Sequence, residues 1–249
     1  EKYFVRELGM HRVYNSAFMN HLRDENNAEL RRYLREIIEN DPTLLENFIN
    51  YLTTPDEAPA AESFGCVDKY FGACTLMASL PGMPMFGHGQ LEGLAEWYGM
   101  DFSKPMLEEI AHTEILAEHQ RLISPLLLQR RRFTSAEGIA IFDLQNDGQT
   151  NEDVYIFSII SDNQKSLVIF NNSNRQSVGR VIRGWHRPDK ADQSYQTSLI
   201  HALHLTNADQ VRFSEIRTGE MKFFRQIDLG TEGLELSLQP YQSLVYGVD

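Results

Sequence analysis

Two short segments carry side chains that could meet a ligand at the ends of strands. The first is Thr53-Thr54-Pro55-Asp56-Glu57, which follows the alternating run Phe48-Ile49-Asn50-Tyr51-Leu52. A carboxylate such as Asp56 can accept hydrogen bonds from a ligand. Pro-Asp is also ordinary turn chemistry, in which Asp56 would bond only nearby backbone. The second is Met83-Pro84-Met85-Phe86-Gly87-His88-Gly89-Gln90-Leu91-Glu92. Its glycines let backbone approach a ligand at the end of an apolar strand, and His88, Gln90 and Glu92 are candidate contacts. A loop histidine can equally be a hydrogen-bonded surface group.

Other reactive residue types are spaced less suggestively. His112 and His119 lie seven apart among Glu108, Glu109, Glu114 and Glu118. Zinc-binding helices use closer spacing, as in H-E-x-x-H, so a solvated charged face is expected. His201 and His204 fall on opposite faces of a strand and make no pair. Trp97, Tyr98 and Trp185 could stack on sugar rings, with hydrophobic burial as the plainer reading. Cys66 and Cys74, on one helix, would stand roughly 12 Å apart, too far for a disulfide. Asn171-Asn172-Ser173 fits a glycosylation pattern and reads as a turn. The sequence calls for no cofactor and no metal.

The elements that must position these residues change character along the 249 residues. Residues 1–133 carry long helical patterns separated by short apolar runs. Leu30, Leu34, Ile37 and Ile38 predict a helix over 25–39, ended by Asn40-Asp41-Pro42. Further helices are predicted over 68–79 and 108–131, and strands over 12–18, 48–52 and 83–86. Strands alternating with helices suggest βα units of a parallel sheet. Three such units cannot close a barrel, which usually takes about 250 residues. From about Thr134 onward, short β-rich runs broken by Asn, Asp, Gly and Ser suggest an antiparallel sandwich, with strands at 138–144, 154–161, 166–171, 177–182, 195–205, 211–215, 220–225, 234–238 and 243–248.

A net charge of −12 disfavours nucleic acid and anionic membrane as partners and suits a neutral ligand. No apolar run of about 18 residues is present, and no basic-then-apolar signal segment opens the chain, so a soluble and preferably cytoplasmic protein is expected. The first residue is Glu1 rather than Met, which suits a start after processing or inside a longer chain.

The phrase Leu80-Pro81-Gly82-Met83-Pro84-Met85-Phe86-Gly87-His88-Gly89-Gln90-Leu91-Glu92-Gly93 resembles the eighth-strand motif of the α-amylase family, family 13 of the glycoside hydrolases. Asn47 to Glu57 resembles the seventh-strand motif, with Asp56 on the family's aspartate and Thr54 and Pro55 where Asn and His are expected. Glu1 to Leu22 resembles the fifth helix and sixth strand. Ser166 to Ser173 and Leu236 to Tyr246 resemble the family's C-terminal β-domain, so the likeness runs in order along nearly the whole chain.

The resemblance implies a partial TIM (β/α)₈ barrel of about three βα units (1–133) followed by an antiparallel β-sandwich (134–249). It implies an α-glucan or oligosaccharide substrate and retaining chemistry, which needs a nucleophilic and an acidic carboxyl group. Both would lie before Glu1, on a missing N-terminal part of the barrel. Asp56 is left as a transition-state stabiliser, and His88, Gln90 and Glu92 as substrate contacts, so this chain alone is expected to be inactive. The alternatives are a non-catalytic carbohydrate-binding or accessory protein and, more distantly, an independent βα domain that binds protein.

Overall fold

A computed structural model describes residues 2–65, 67–97, 99, 101, 103–187, 193–205 and 209–249. Three short strands, β1 (Val13–Tyr14), β2 (Phe48–Tyr51) and β3 (Met83–Met85), pair in parallel in that spatial order. A first helix, α1 (Lys2–Arg6), precedes them; α2 (Ser16–Arg23) and α3 (Asn27–Asn40) connect β1 to β2, and α4 (Ala60–Ser63) and α5 (Val67–Ser79) connect β2 to β3. After β3 come α6 (Thr113–Glu118) and α7 (Ser124–Leu128), joined by a π-helical turn at His119–Ile123.

The predicted stripe forms α3: Leu30, Leu34, Ile37 and Ile38 are all buried, and the helix stops at Asp41, before Pro42. Arg6 clamps that end through a two-point bond to Asp41 at 2.7 Å. Helix α5 is buried along nearly its whole length, because the small parallel sheet covers one side and the large sheet the other. Gly72 permits this approach, since a Cβ there would fall 2.0 Å from the ring of Phe170. Gly82, at φ +97°, turns the chain into β3, where a side chain would meet the Phe48 carbonyl oxygen at 2.5 Å.

The remaining strands are β4 (Ala140–Asn146), β5 (Gln149–Ser161), β6 (Gln164–Asn171), β7 (Ser177–His186), β8 (Tyr195–Thr197), β9 (Gln210–Glu215), β10 (Met221–Arg225), β11 (Leu234–Leu238) and β12 (Ser243–Val248). Two short helices, α8 (Leu199–Ala202) and α9 (Gln226–Thr231), interrupt them. All nine strands belong to one antiparallel sheet in the order β10-β9-β12-β6-β5-β4-β7-β11, with β8 on β7.

The central strands are buried on both faces, following the two-residue period of a strand. Tyr155, Phe157, Val168, Phe170 and Val245 join α3 and α5 in one core; their neighbours Ile156, Leu167, Ile169 and Tyr246 join α8, α9 and the outer strands in another. Phe213 of β9 and Leu236 of β11 share that second cluster although their strands stand near opposite ends of the sheet. The sheet therefore curls around its own core. The hydrogen-bonding path is continuous where two separate sheets were expected.

Local departures from the sequence reading have identifiable causes. The strand expected over 195–205 ends at Thr197, because Ser198 caps α8 and its side chain accepts from the His201 N–H at 3.4 Å. His201 thus lies on a helix, not on a strand face. The strand expected over 12–18 is cut to two residues by Asn15, which caps α2. The helix expected over 108–131 starts only at Thr113, and α3, with 14 residues, is longer than either piece. Asn171, Asn172 and Ser173 are buried rather than displayed in a turn. Asn172 donates to the Leu22 carbonyl at 3.1 Å and to Asn27 Oδ1 at 2.8 Å, tying the sheet to the α2–α3 corner.

Candidate ligand site

Parallel pairing sends the loops after β2 and β3 out at the same edge of the small sheet, and they enclose a half-open cavity of about 220 Å³. Thr53, Thr54, Pro55, Glu57 and Pro59 line it from the first loop; Gly87, His88, Glu96, Trp97 and Gly99 line it from the second. Trp97 bridges the two, its indole N–H donating to the Pro55 carbonyl at 3.2 Å. The second loop is braced by carboxylates. Glu109 accepts from the amides of Ala95 and Glu96 at 2.8 and 2.9 Å, and Glu96 accepts from those of Met106 and Leu107 at 2.6 and 3.1 Å.

The residues picked out in the sequence divide here. His88 faces the cavity. Asp56 is exposed and outside the lining, and its N–H bonds Thr54 Oγ1 at 3.3 Å, as a turn residue does. Gln90 is 5% exposed and acts as a strut: its Oε1 accepts from the Gly87 amide at 2.9 Å and its Nε2 points at Cys74 Sγ at 3.9 Å. Glu92 is half-buried away from the lining, with its carbonyl accepting from the His112 amide at 2.8 Å. Tyr98 and Cys66 fall outside the described residues. Burial pushes the Cys74 thiol up to about 12, which makes it an inert packing group. Trp185 lies far along the sheet under the guanidinium of Arg35, 3.6 Å from its ring centre.

The sequence reading did not single out Glu57 or Glu96. Glu57 lies one residue beyond Asp56 on the same turn, closed by its own amide to the Thr54 carbonyl at 3.1 Å. Burial raises its carboxyl above the usual carboxylate range, against the pull of Arg23 and the Tyr51 hydroxyl. Its Oε2 is buried and has no hydrogen-bond partner among the described residues.

Behind the second loop, His119 is not part of a solvated face. The π turn carries it inward, where it is 4% exposed and its Nε2 shares a hydrogen bond of 2.8 Å with the Tyr70 hydroxyl. That hydroxyl also donates to the Gln90 carbonyl at 3.2 Å, so His119 supports the turn that displays His88. Burial lowers the His119 pKa, with the Gln90 backbone and Glu92 pulling the other way.

Unfolding therefore takes up a proton here. The associated stability is complete above the unfolded value near 6.5 and is lost as pH falls through the lower, folded one. His119→Gln should flatten the fall in stability between about pH 7.5 and 5.5. Urea midpoints of both proteins at the two pH values measure it; equal losses would rule His119 out as the group responsible.

Among the described residues no group of three or more His, Cys, Asp or Glu could hold a metal ion. No helix among them is long and apolar enough to cross a membrane.

Parallel βα units followed by a curled antiparallel sheet, with a cavity at the C-terminal ends of the parallel strands, define a mixed α/β architecture with an antiparallel β-domain appended. No family model matches the sequence, and no curated protein is similar to it. Solved structures are. An Anoxybacillus α-amylase matches at a TM-score of 0.61 and 13% identity over 100% of this chain and 50% of its own. A Geobacillus thermoleovorans α-amylase, solved with acarbose, matches at 0.55 and 12% over 89% and 43%. A cyclomaltodextrin glucanotransferase of three-domain organisation matches at 0.57 and 13% over 93% and 42%. The chain has the fold found in α-amylase-family structures and spans about half the length of those it matches.

Proposed function

We propose that the chain is the C-terminal segment of an α-glucan-acting glycosidase or transglycosidase. Residues 1–133 would supply the last three βα units of its barrel and residues 134–249 its β-sandwich domain. The observation that carries this reading is the cavity where the loops after β2 and β3 meet. In barrels of parallel strands, ligands bind at that end. Trp97 beside Glu57 and His88 offers an apolar wall and polar groups, the pairing that suits a sugar ring. The fold likeness to two α-amylases and a glucanotransferase supports an oligosaccharide ligand.

β1 and β3 are both edges of the three-stranded sheet, and they expose Tyr14 and Met83. Unpaired edges with large apolar side chains suit neighbours that complete a barrel. In the retaining mechanism a nucleophilic carboxylate and an acid stand about 5–5.5 Å apart across the scissile bond. We place both on those completing units, with His88 as a subsite contact and Gln90 as the strut that positions it.

Purified as the 249-residue chain, the protein should release no reducing sugar from maltoheptaose or soluble starch, since retaining cleavage needs a nucleophilic and an acidic carboxyl group and both are assigned to the completing units. Turnover above a heat-killed control would place the catalytic groups within residues 1–249 and overturn the assignment.

A further inference from the structure

We propose that His119 is a proton-operated latch on the loop after β3: uncharged, it holds the turn that carries Gly87 and His88 against α5, and protonated, it lets that turn open. The proposal concerns how the cavity wall is held and is independent of what the cavity binds.

The latch is a short chain of hydrogen bonds. His119 Nε2 lies 2.8 Å from the Tyr70 hydroxyl, and that hydroxyl donates to the Gln90 carbonyl at 3.2 Å. Gln90 in turn closes the loop: its amide donates to the Gly87 carbonyl at 3.2 Å, and its Oε1 accepts from the Gly87 amide at 2.9 Å. A phenol has one proton to give. Spent on Gln90, it leaves His119 Nε2 to donate to the Tyr70 oxygen, and Nδ1 is then the bare nitrogen at which a proton would be added.

Among the described residues, nothing is placed to stabilise a proton there. Nδ1 is buried and has no hydrogen-bond partner. The rings of Tyr70, Phe71 and Phe86 stand around the imidazole at centroid distances of 5.6, 5.0 and 5.9 Å. Tyr70 and Cys74 face it from α5 as neutral groups, both pushed up by burial. Glu92, on the loop, favours the charged form but does not offset the burial. Glu118 and Arg121, on the helical run of His119 itself, are bonded to each other at 3.0 Å on the outside. An imidazolium in this place is a buried charge with an orphaned donor, a costly state that moving into water relieves. The π turn offers the way out. It is a single turn between α6 and α7, and rewinding it to α-helical register would rotate His119 away from Tyr70 and remove the support of Gln90.

The test is NMR of the 249-residue protein between about pH 7.5 and 5.5, following the exchange protection of the Gly87, Gln90 and Leu94 amides, corrected for the intrinsic pH dependence of exchange. The Leu94 amide belongs to the same loop, bonded to the Gly89 carbonyl at 2.9 Å. Protection of the three should fall by about three- to tenfold, the upper figure being the limit for an opened loop whose His119 titrates near 6.5 while the closed form stays neutral. The three should also exchange faster than global unfolding, measured in urea at each pH, allows. His119→Gln should remove the pH response. Tyr70→Phe, which cuts the chain at its middle, should lower loop protection already at pH 7.5 and serves as the second variant if His119→Gln does not fold. Protection that stays within about twofold across the range, an equal fall in His119→Gln, or loop exchange only through global unfolding overturns the latch.

Discussion

Replacing Arg31 by methionine is expected to cost the protein about 3–5 kcal/mol of stability, among the largest losses available to a single substitution here. Arg31 projects from α3 into the sheet. Its side chain is 7% exposed, and it bonds Asp143, itself 11% exposed, together with the Val154 carbonyl at 2.5 Å and Glu152 at 2.9 Å. Methionine fills most of the stem's volume but leaves Asp143 charged, buried and unpaired. For a chain of this size the loss corresponds to a melting temperature lower by about 6–20 °C. Burial already raises the Asp143 carboxyl, so without Arg31 it protonates more readily and the penalty should shrink in acid. Adding Asp143→Leu should recover much of the loss, since an apolar pair avoids the desolvation of two charges. Calorimetric melting of both variants checks this. A loss below about 1 kcal/mol for Arg31→Met would show that water reaches the pair.

Phe170→Ala should cost a similar amount, about 3–5 kcal/mol, because the ring is fully buried and its removal leaves a cavity. The ring lies where α5 crosses β6, stacked on Tyr155 at a centroid distance of 6.4 Å and pressed against Gly72. Gly72→Ala alone should cost about 1–3 kcal/mol through overpacking, even though alanine favours a helix. In the double variant the added methyl enters the space the ring has left, so its loss should be clearly smaller than the sum of the two. Urea unfolding of the four proteins measures the coupling. Additive losses would mean that Gly72 and Phe170 do not touch.

The same contact shows what the sequence could and could not reveal. Alternation in Val154 to Ser161 and Ser166 to Asn171 predicts strands, and both form. Alternation alone suggests one buried face, whereas Tyr155 and Ile156 are both buried, on opposite sides. The second face is covered by α3 and α5, which end at Asn40 and Ser79, far from Tyr155 and Phe170 in sequence, and no local pattern encodes that. The β-domain therefore shares its core with the helices: cut off near Thr134, it would expose Tyr155, Phe157, Val168 and Phe170 together. The parallel βα units and the stripe on α3 were legible, because each rests on residue spacing along the chain.

At the site, the two loops were legible and the choice of side chain was not. Thr53 to Glu57 and Gly87 to Glu92 do flank one cavity. Within a Pro-Asp-Glu turn, however, either carboxylate can face inward; here Glu57 lines the cavity and Asp56 is exposed outside the lining. Gln90 went to the backbone of its own turn because Gly87 needed an acceptor. His119 moved inward through a π turn, a one-residue insertion that shifts the face of a helix without altering its apolar spacing beforehand.

The central claim is tested most directly by the stereochemistry of the first product. The protein encoded by the complete reading frame that contains this chain should be incubated with maltoheptaose and followed by ¹H NMR before the released sugar mutarotates. Retaining cleavage by double displacement puts the new reducing end in the α-configuration. An α-anomer appearing first is the expected result. A β-anomer appearing first, or no turnover of α-glucans by the complete protein, would contradict the assignment of this chain to a retaining α-glucan-acting enzyme.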